Sequence, residues 1–149
     1  MSGCNKILLF SIVLFGFIGC EQSSVELSET PEISLEAISH DTLVQYAEVL
    51  VLTIAYKDGD GDLGYPDPDQ YSLFIRDVRL SNFDSFFVGP LAPLDSSVPI
   101  EGVIDVEFPS LFLFGNGPSE TTRFECRLVD RAGNESNLIT TPSVVILKE

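Results

Sequence analysis

With 149 residues, 44% of them hydrophobic and 10% aromatic, the chain is long enough to bury the core of one domain, which excludes disorder throughout. Lys and Arg number 8 against 23 Asp and Glu, and the formal net charge of -15 repels a phosphate backbone. Nucleic acid is therefore excluded as a partner, and cations are favoured.

The first element in chain order is a targeting segment. Lys6 supplies one positive charge, and Ile7 to Ile18 is apolar except for Ser11 and Gly16, as in the hydrophobic stretch of a secretory signal. Such a stretch spans about 18 Å as a helix, short of a hydrocarbon core of about 30 Å, so it is not a membrane span. It runs into Phe17-Ile18-Gly19-Cys20, which resembles a bacterial lipobox, with Phe17 in place of the usual Leu. The resemblance implies cleavage before Cys20, diacylglycerol and further acyl groups on Cys20, and a membrane anchor of more than one chain. Residues 1–19 are thus expected to be a lipoprotein signal peptide and residues 20–31, rich in Ser and Glu, a lipidated flexible tether.

Residues 32–149 carry strand-like segments between turn signals. Strands are expected at residues 32–38, 48–56, 71–80, 102–108, 123–129 and 138–147, with a weaker one at 86–88. No long segment has helical spacing. About seven strands separated by Gly, Pro, Asn and Asp predict an all-β, immunoglobulin-like antiparallel β-sandwich. Pro142 removes a ladder N–H, so the last strand should lie at an edge or bulge there. Alternation places Phe124, Cys126 and Leu128 inward, which makes Cys126 a buried, inert thiol. Phe83, Phe86, Phe87, Phe112 and Phe114 are read as core or loop-packing residues.

Between the second and third expected strands lies Asp58-Gly59-Asp60-Gly61-Asp62-Leu63-Gly64, continuing through Asp67 and Asp69. Alternating Asp with Gly curls the backbone so that carboxylates one, three and five converge on a hard cation. In the numbering of an EF-hand loop, Gly64 falls where a carbonyl ligand comes and Asp69 where the bidentate Glu comes. Leu63 stands where that loop has Gly, and Pro66 and Pro68 forbid an exiting helix, so the expectation is a Ca²⁺ loop on a β scaffold. A solvated polar turn has the same composition. Oxygen donors with a single His, His40, favour Ca²⁺ over zinc or copper. A second turn, Asp130-Arg131-Ala132-Gly133-Asn134, lies at the same end of such a sandwich. From it Asp130 or Asn134, or Asn137 just after it, is expected to approach the acidic loop, whose own Asp67 is a further metal-proximal candidate, and Arg131 offers a countercharge.

The lipobox, DGDGDLG after a strand and DRAGNESN before the last strand together resemble uncharacterised Bacteroidota-type lipoproteins with an immunoglobulin- or cadherin-like domain. That resemblance implies the sandwich and its anchoring, and it implies no chemistry. A Gly-x-Ser-x-Gly elbow, a phosphate-cradling loop and a CxxC pair are missing from the sequence, so the expected role is non-catalytic: a lipid-anchored envelope protein, at an outer membrane, with a binding or structural task. The alternative is a glycan-binding accessory module of an outer-membrane uptake system, with Tyr56, Tyr65 and Tyr71 as a stacking platform beside the acidic loop.

Overall fold

A computed structural model describes residues 27–149; the expected signal peptide, Cys20 with its acyl groups, and residues 20–26 of the tether lie outside the described residues. Ten strands follow in order: β1 (Glu32–Ile38), β2 (Thr42–Val44), β3 (Leu50–Asp58), β4 (Leu73–Asp77), β5 (Asp84–Phe86), β6 (Ile100–Phe108), β7 (Ser119–Thr122), β8 (Phe124–Leu128), β9 (Ile139–Thr140) and β10 (Val144–Leu147). The described residues contain no helix, so the chain is all-β as expected.

The strands form two facing layers. One is the antiparallel sheet β1-β3-β6. The other consists of two sheets, β5-β4-β8-β9 and β2-β10-β7, that continue into each other. Only Arg123 separates β7 from β8, and residues 141–143 separate β9 from β10. Across this break Thr122 pairs with Val144 while Glu125 pairs with Thr140, so the register slips by one residue. Pro142 causes the slip, because it has no N–H for the ladder. The Thr141 hydroxyl instead accepts the Phe124 N–H at 3.0 Å, and the Thr141 N–H donates to the Phe124 carbonyl at 2.9 Å. Upstream of the break β9 is an edge strand; downstream β10 is central, between β2 and β7.

Two strands are additional to those expected. The polar run Ser119–Thr122 forms β7, and the three-residue β2 pairs with β10 in parallel, a departure from an all-antiparallel sandwich. Joining β1 to β2, β7 to β8 and β9 to β10 as interrupted strands reduces ten to seven, and the partition into layers is then that of an immunoglobulin-type sandwich.

Period-two alternation builds the core. Leu50, Leu52 and Ile54 of β3 meet Leu73 and Ile75 of β4 and Phe124, Cys126 and Leu128 of β8 in one continuous cluster. Phe108 and Phe124 stack across the layers with centroids 5.0 Å apart, and Phe86 packs edge-on to Phe108 at 5.9 Å. Phe87, Phe112 and Phe114 are instead exposed, because they lie on connections beyond the strand ends. There Phe112 stacks on Tyr46, and the Arg79 guanidinium lies over Phe114 while pairing with Asp77 and Glu120.

Cys126 is fully buried, and burial pushes its thiol pKa up to about 12. A thiol reagent at neutral pH should label native protein at least about a hundredfold more slowly than protein in denaturant, because the reactive thiolate needs both access and deprotonation. Rapid labelling without denaturant would place Cys126 on the outer face and overturn the register of β8.

Candidate metal centre

The alternation that builds the core also delivers carboxylates to its end. Along β3 the inward positions are Leu50, Leu52, Ile54 and Tyr56, and the next inward position is Asp58, with no exposed surface. Asp58 is held there by the ladder, opposite Ile100 of β6. The same rule carries β8 past its end, through Phe124, Cys126 and Leu128 to the fully buried Asp130. Two strands from different parts of the chain thus each end in an inward aspartate at one end of the sandwich.

From Asp58 the chain turns back on itself. Gly61 adopts φ of 70°, and a Cβ there would lie 2.2 Å from the Val98 carbonyl oxygen, so only glycine lets the loop close at this point. Leu63 is fully buried and ties the loop to the core, which explains why it stands where an EF-hand has glycine. Between these anchors Asp58, Asp60 and Asp62 offer carboxylate oxygens that all lie within 4.8 Å of one another, a group able to hold a metal ion.

Hydrogen bonding divides the oxygens of this group into two kinds. Asp58 Oδ2 accepts the Asp62 N–H at 2.9 Å, and Asp62 Oδ2 accepts the Ala132 N–H at 3.0 Å. The Oδ1 atoms of Asp58, Asp60 and Asp62 are all buried and have no hydrogen-bond partner. Buried polar atoms are rarely left so, and anionic oxygens least of all. A hard cation bound by oxygen would satisfy all three. Burial, followed by repulsion from Asp60 and Asp62, pushes the Asp58 pKa up to about 6. Asp62 is raised as well, first by burial, then by Asp130 and Asp60, against a smaller lowering by the Ala132 amide and Arg131.

The turn after β8 packs on this loop, as its position in the sandwich implies. The Arg131 N–H donates to the Asp62 carbonyl at 3.3 Å, and the Tyr65 hydroxyl donates to the Asp130 carbonyl at 2.9 Å. Asp130 and Asn134 are nevertheless bonded to each other. Asp130 Oδ1 accepts the Asn134 N–H at 2.7 Å and its Oδ2 accepts the Asn134 side-chain N–H at 2.9 Å, so Asp130 supplies nearby charge and no free oxygen.

Gly64 and Asp69, expected from the EF-hand numbering, and Asp67, expected near the metal, fall outside the group. The Gly64 carbonyl accepts a hydrogen bond from the Arg131 guanidinium at 2.9 Å. Asp67 and Asp69 are exposed, with Asp67 Oδ1 accepting the Asp69 N–H at 3.0 Å in a turn of its own. Leu63 is buried while residues 66–70 are exposed, and there the chain makes a separate turn closed by the Gln70 N–H on the Asp67 carbonyl at 3.1 Å. The three tyrosines do not share a face either: Tyr56 is buried in the core, Tyr65 is tied to Asp130, and Tyr71 is exposed. Side-chain spacing did not reveal the backbone groups that frame the loop, namely the amides of Val98, Arg131 and Ala132 and the carbonyl of Ser28. Every residue has such groups, so they leave no mark on a sequence.

Comparison of the chain with protein-family models, curated proteins and solved structures finds no match.

A carboxyl held near 6 when folded and near 3.8 when unfolded makes the folded state bind the extra proton between those values. Without an ion, the stability derived from Asp58 is therefore full below about pH 4, falls as pH rises, and is gone above about 6. Asp77 has the opposite sign. Hydrogen bonds from Arg79 and Thr122 outweigh its burial and lower its pKa, so its contribution is lost only below the ordinary carboxylate range. In chelator the protein should melt several degrees higher at pH 5 than at pH 7.5, and Asp58→Asn should remove most of that difference. Equal melting temperatures at the two pH values in the unmutated protein would contradict the burial of an unpartnered Asp58.

Proposed function

We propose that the protein is a lipid-anchored, non-catalytic module of a bacterial envelope whose β-sandwich is organised at one end by Ca²⁺. The observation that carries the reading is the set of three buried, unpartnered carboxylate oxygens on Asp58, Asp60 and Asp62. Their chemistry selects among ions. The group contains neither His nor Cys, which disfavours zinc and copper. Mg²⁺ keeps several waters and requires near-octahedral geometry, whereas a closed, carboxylate-rich loop suits the larger and more tolerant Ca²⁺. Burial of the free oxygens also supports a structural ion over one that activates a substrate, since a substrate would need an open coordination position.

The anchor rests on the N-terminal sequence, with Lys6, the apolar stretch to Ile18 and the lipobox at Cys20. Among the described residues no helix is long and apolar enough to cross a membrane. Acyl chains on Cys20 would hold the sandwich at a bilayer surface, and an outer membrane is the site we favour.

Extracellular modules bind Ca²⁺ with dissociation constants of about 10⁻⁴ to 10⁻³ M. A tenfold excess of ion over that constant stabilises the fold by about 1.4 kcal/mol, or about 3 to 8 °C in a domain of this size. Scanning calorimetry at pH 7.5 should show that rise between chelator and millimolar Ca²⁺, a much smaller one with Mg²⁺, and none in Asp60→Asn/Asp62→Asn. Unchanged melting of the wild type, with no heat of binding, would reduce the loop to a polar turn. For the anchor, radiolabelled palmitate fed to expressing bacteria should enter the wild type and not Cys20→Ser; equal labelling of both would refute it.

A further inference from the structure

We propose that the ion at Asp58, Asp60 and Asp62 is a clasp for the N-terminal segment, holding residues 27–31 against the acidic loop when bound and releasing them when absent. The proposal rests on the Ca²⁺ reading above and assigns that ion a regulatory consequence. The residue that joins the two is Gly59, which lies between two of the carboxylates.

The Gly59 N–H donates to the Ser28 carbonyl at 2.8 Å. A Cβ on Gly59 would lie 2.3 Å from the Leu27 carbonyl oxygen and 2.7 Å from that of Ser28, so the N-terminal backbone lies directly on this glycine. The Thr30 N–H donates to Ser28 Oγ at 3.0 Å, and β1 then begins at Glu32, paired with Lys57 one residue before Asp58. The N-terminal segment and the carboxylates therefore share one stretch of backbone.

That stretch is also where a ligand is called for independently of the acidic composition. Asp58 is fully buried, its Oδ1 has no partner, and the buried Oδ1 atoms of Asp60 and Asp62, the carboxylates grouped with it, have none either. Three like charges within 4.8 Å repel strongly in a site shielded from water. Without an ion, swinging Asp60 away from Asp58 relieves the repulsion, and a turn of the peptide between them, which carries the Gly59 N–H, would go with it. The Ser28 carbonyl then loses its donor. With a divalent cation bound the repulsion becomes attraction, Asp58 and Asp60 point to one centre, and the Gly59 amide is fixed towards Ser28. Release of residues 27–31 would add about 17 Å of reach, at roughly 3.5 Å per residue, to the segment leading towards Cys20.

The test uses the purified full chain in detergent, with Ca²⁺, Mg²⁺ or chelator as the probe. Hydrogen exchange at the Gly59 amide and cleavage after the exposed Glu29 by a Glu-specific protease should both slow at least about tenfold in Ca²⁺ relative to chelator, with little change in Mg²⁺. Gly59→Ala keeps all three carboxylates but denies Ser28 its seat; it should still bind Ca²⁺ by calorimetry while cleavage after Glu29 stays fast. If the wild type binds Ca²⁺ but neither exchange nor cleavage slows, the clasp is overturned and the Ca²⁺ site stands. Should Gly59→Ala bind Ca²⁺ and still be protected, the clasp is overturned as well. If the wild type binds no Ca²⁺, the site and the clasp both fall. Were Gly59→Ala not to fold, the exchange and cleavage measurements on the wild type would decide alone.

Discussion

A buried carboxylate needs a positive partner or several donors, and this fold places three of them in its interior at strand ends. Asp58 closes β3, Asp77 closes β4 and Asp130 follows β8, each in the inward register of its strand. Asp77 receives three hydrogen bonds from the Arg79 guanidinium, one from the Arg79 N–H and one from the Thr122 hydroxyl. Asp130 receives the amide and side chain of Asn134. Asp58 receives one backbone N–H on Oδ2, while Asp60 and Asp62 crowd its other oxygen. Two of the three are thus satisfied by the chain itself, and the third is not.

The two ends of the sandwich therefore solve the same problem by different means. At one end Arg79 joins Asp77 of β4 to Glu120 of β7 and donates to the Phe112 carbonyl, so an internal cation closes the layers. At the other end the chain's cations are directed elsewhere. Arg127 pairs with Glu135, and the Arg131 guanidinium donates to the carbonyls of Leu63 and Gly64. With 8 basic residues against 23 acidic ones, the protein cannot neutralise every such cluster internally. An external cation fits where the internal ones are missing, and burial makes the demand stronger than it would be on the surface.

How much of this could be read in advance differed by kind of information. Inward alternation around Cys126 and the convergence of Asp58, Asp60 and Asp62 were legible, because both follow from periods of two in backbone geometry that any strand or tight turn obeys. The full burial of Asp58 was less so: ending the strand at residue 56 leaves its carboxylate in a loop, whereas two further ladder pairs carry it inward. Gly64 and Asp69 were misplaced because counting along an EF-hand assumes a loop with no core anchor, and Leu63 supplies one. The strands β2 and β7 lack local signals. The polar run from Ser119 to Thr122 and the three residues from Thr42 are strands only because β10 lies between them, a long-range cause that alternation in a short window cannot show.

The way the acidic loop is enclosed bears on what an ion there can do. Backbone bonds bring three distant segments to it: Ser28 on Gly59, Val98 on the Asp60 carbonyl, and Arg131 with Ala132 on Asp62. The three free oxygens are consequently buried away from solvent. An ion that bridges to a glycan or activates water must present an open position, and carboxylates closed over by backbone from three sides are poorly arranged to leave one. What such an ion does change is the relative free energy of this one arrangement of four chain segments, which are distant in sequence. The influence of the site is therefore exerted through the chain that surrounds it, and residues 28–30, exposed and joined to the loop through the Ser28 carbonyl, are the part whose position it can most readily govern.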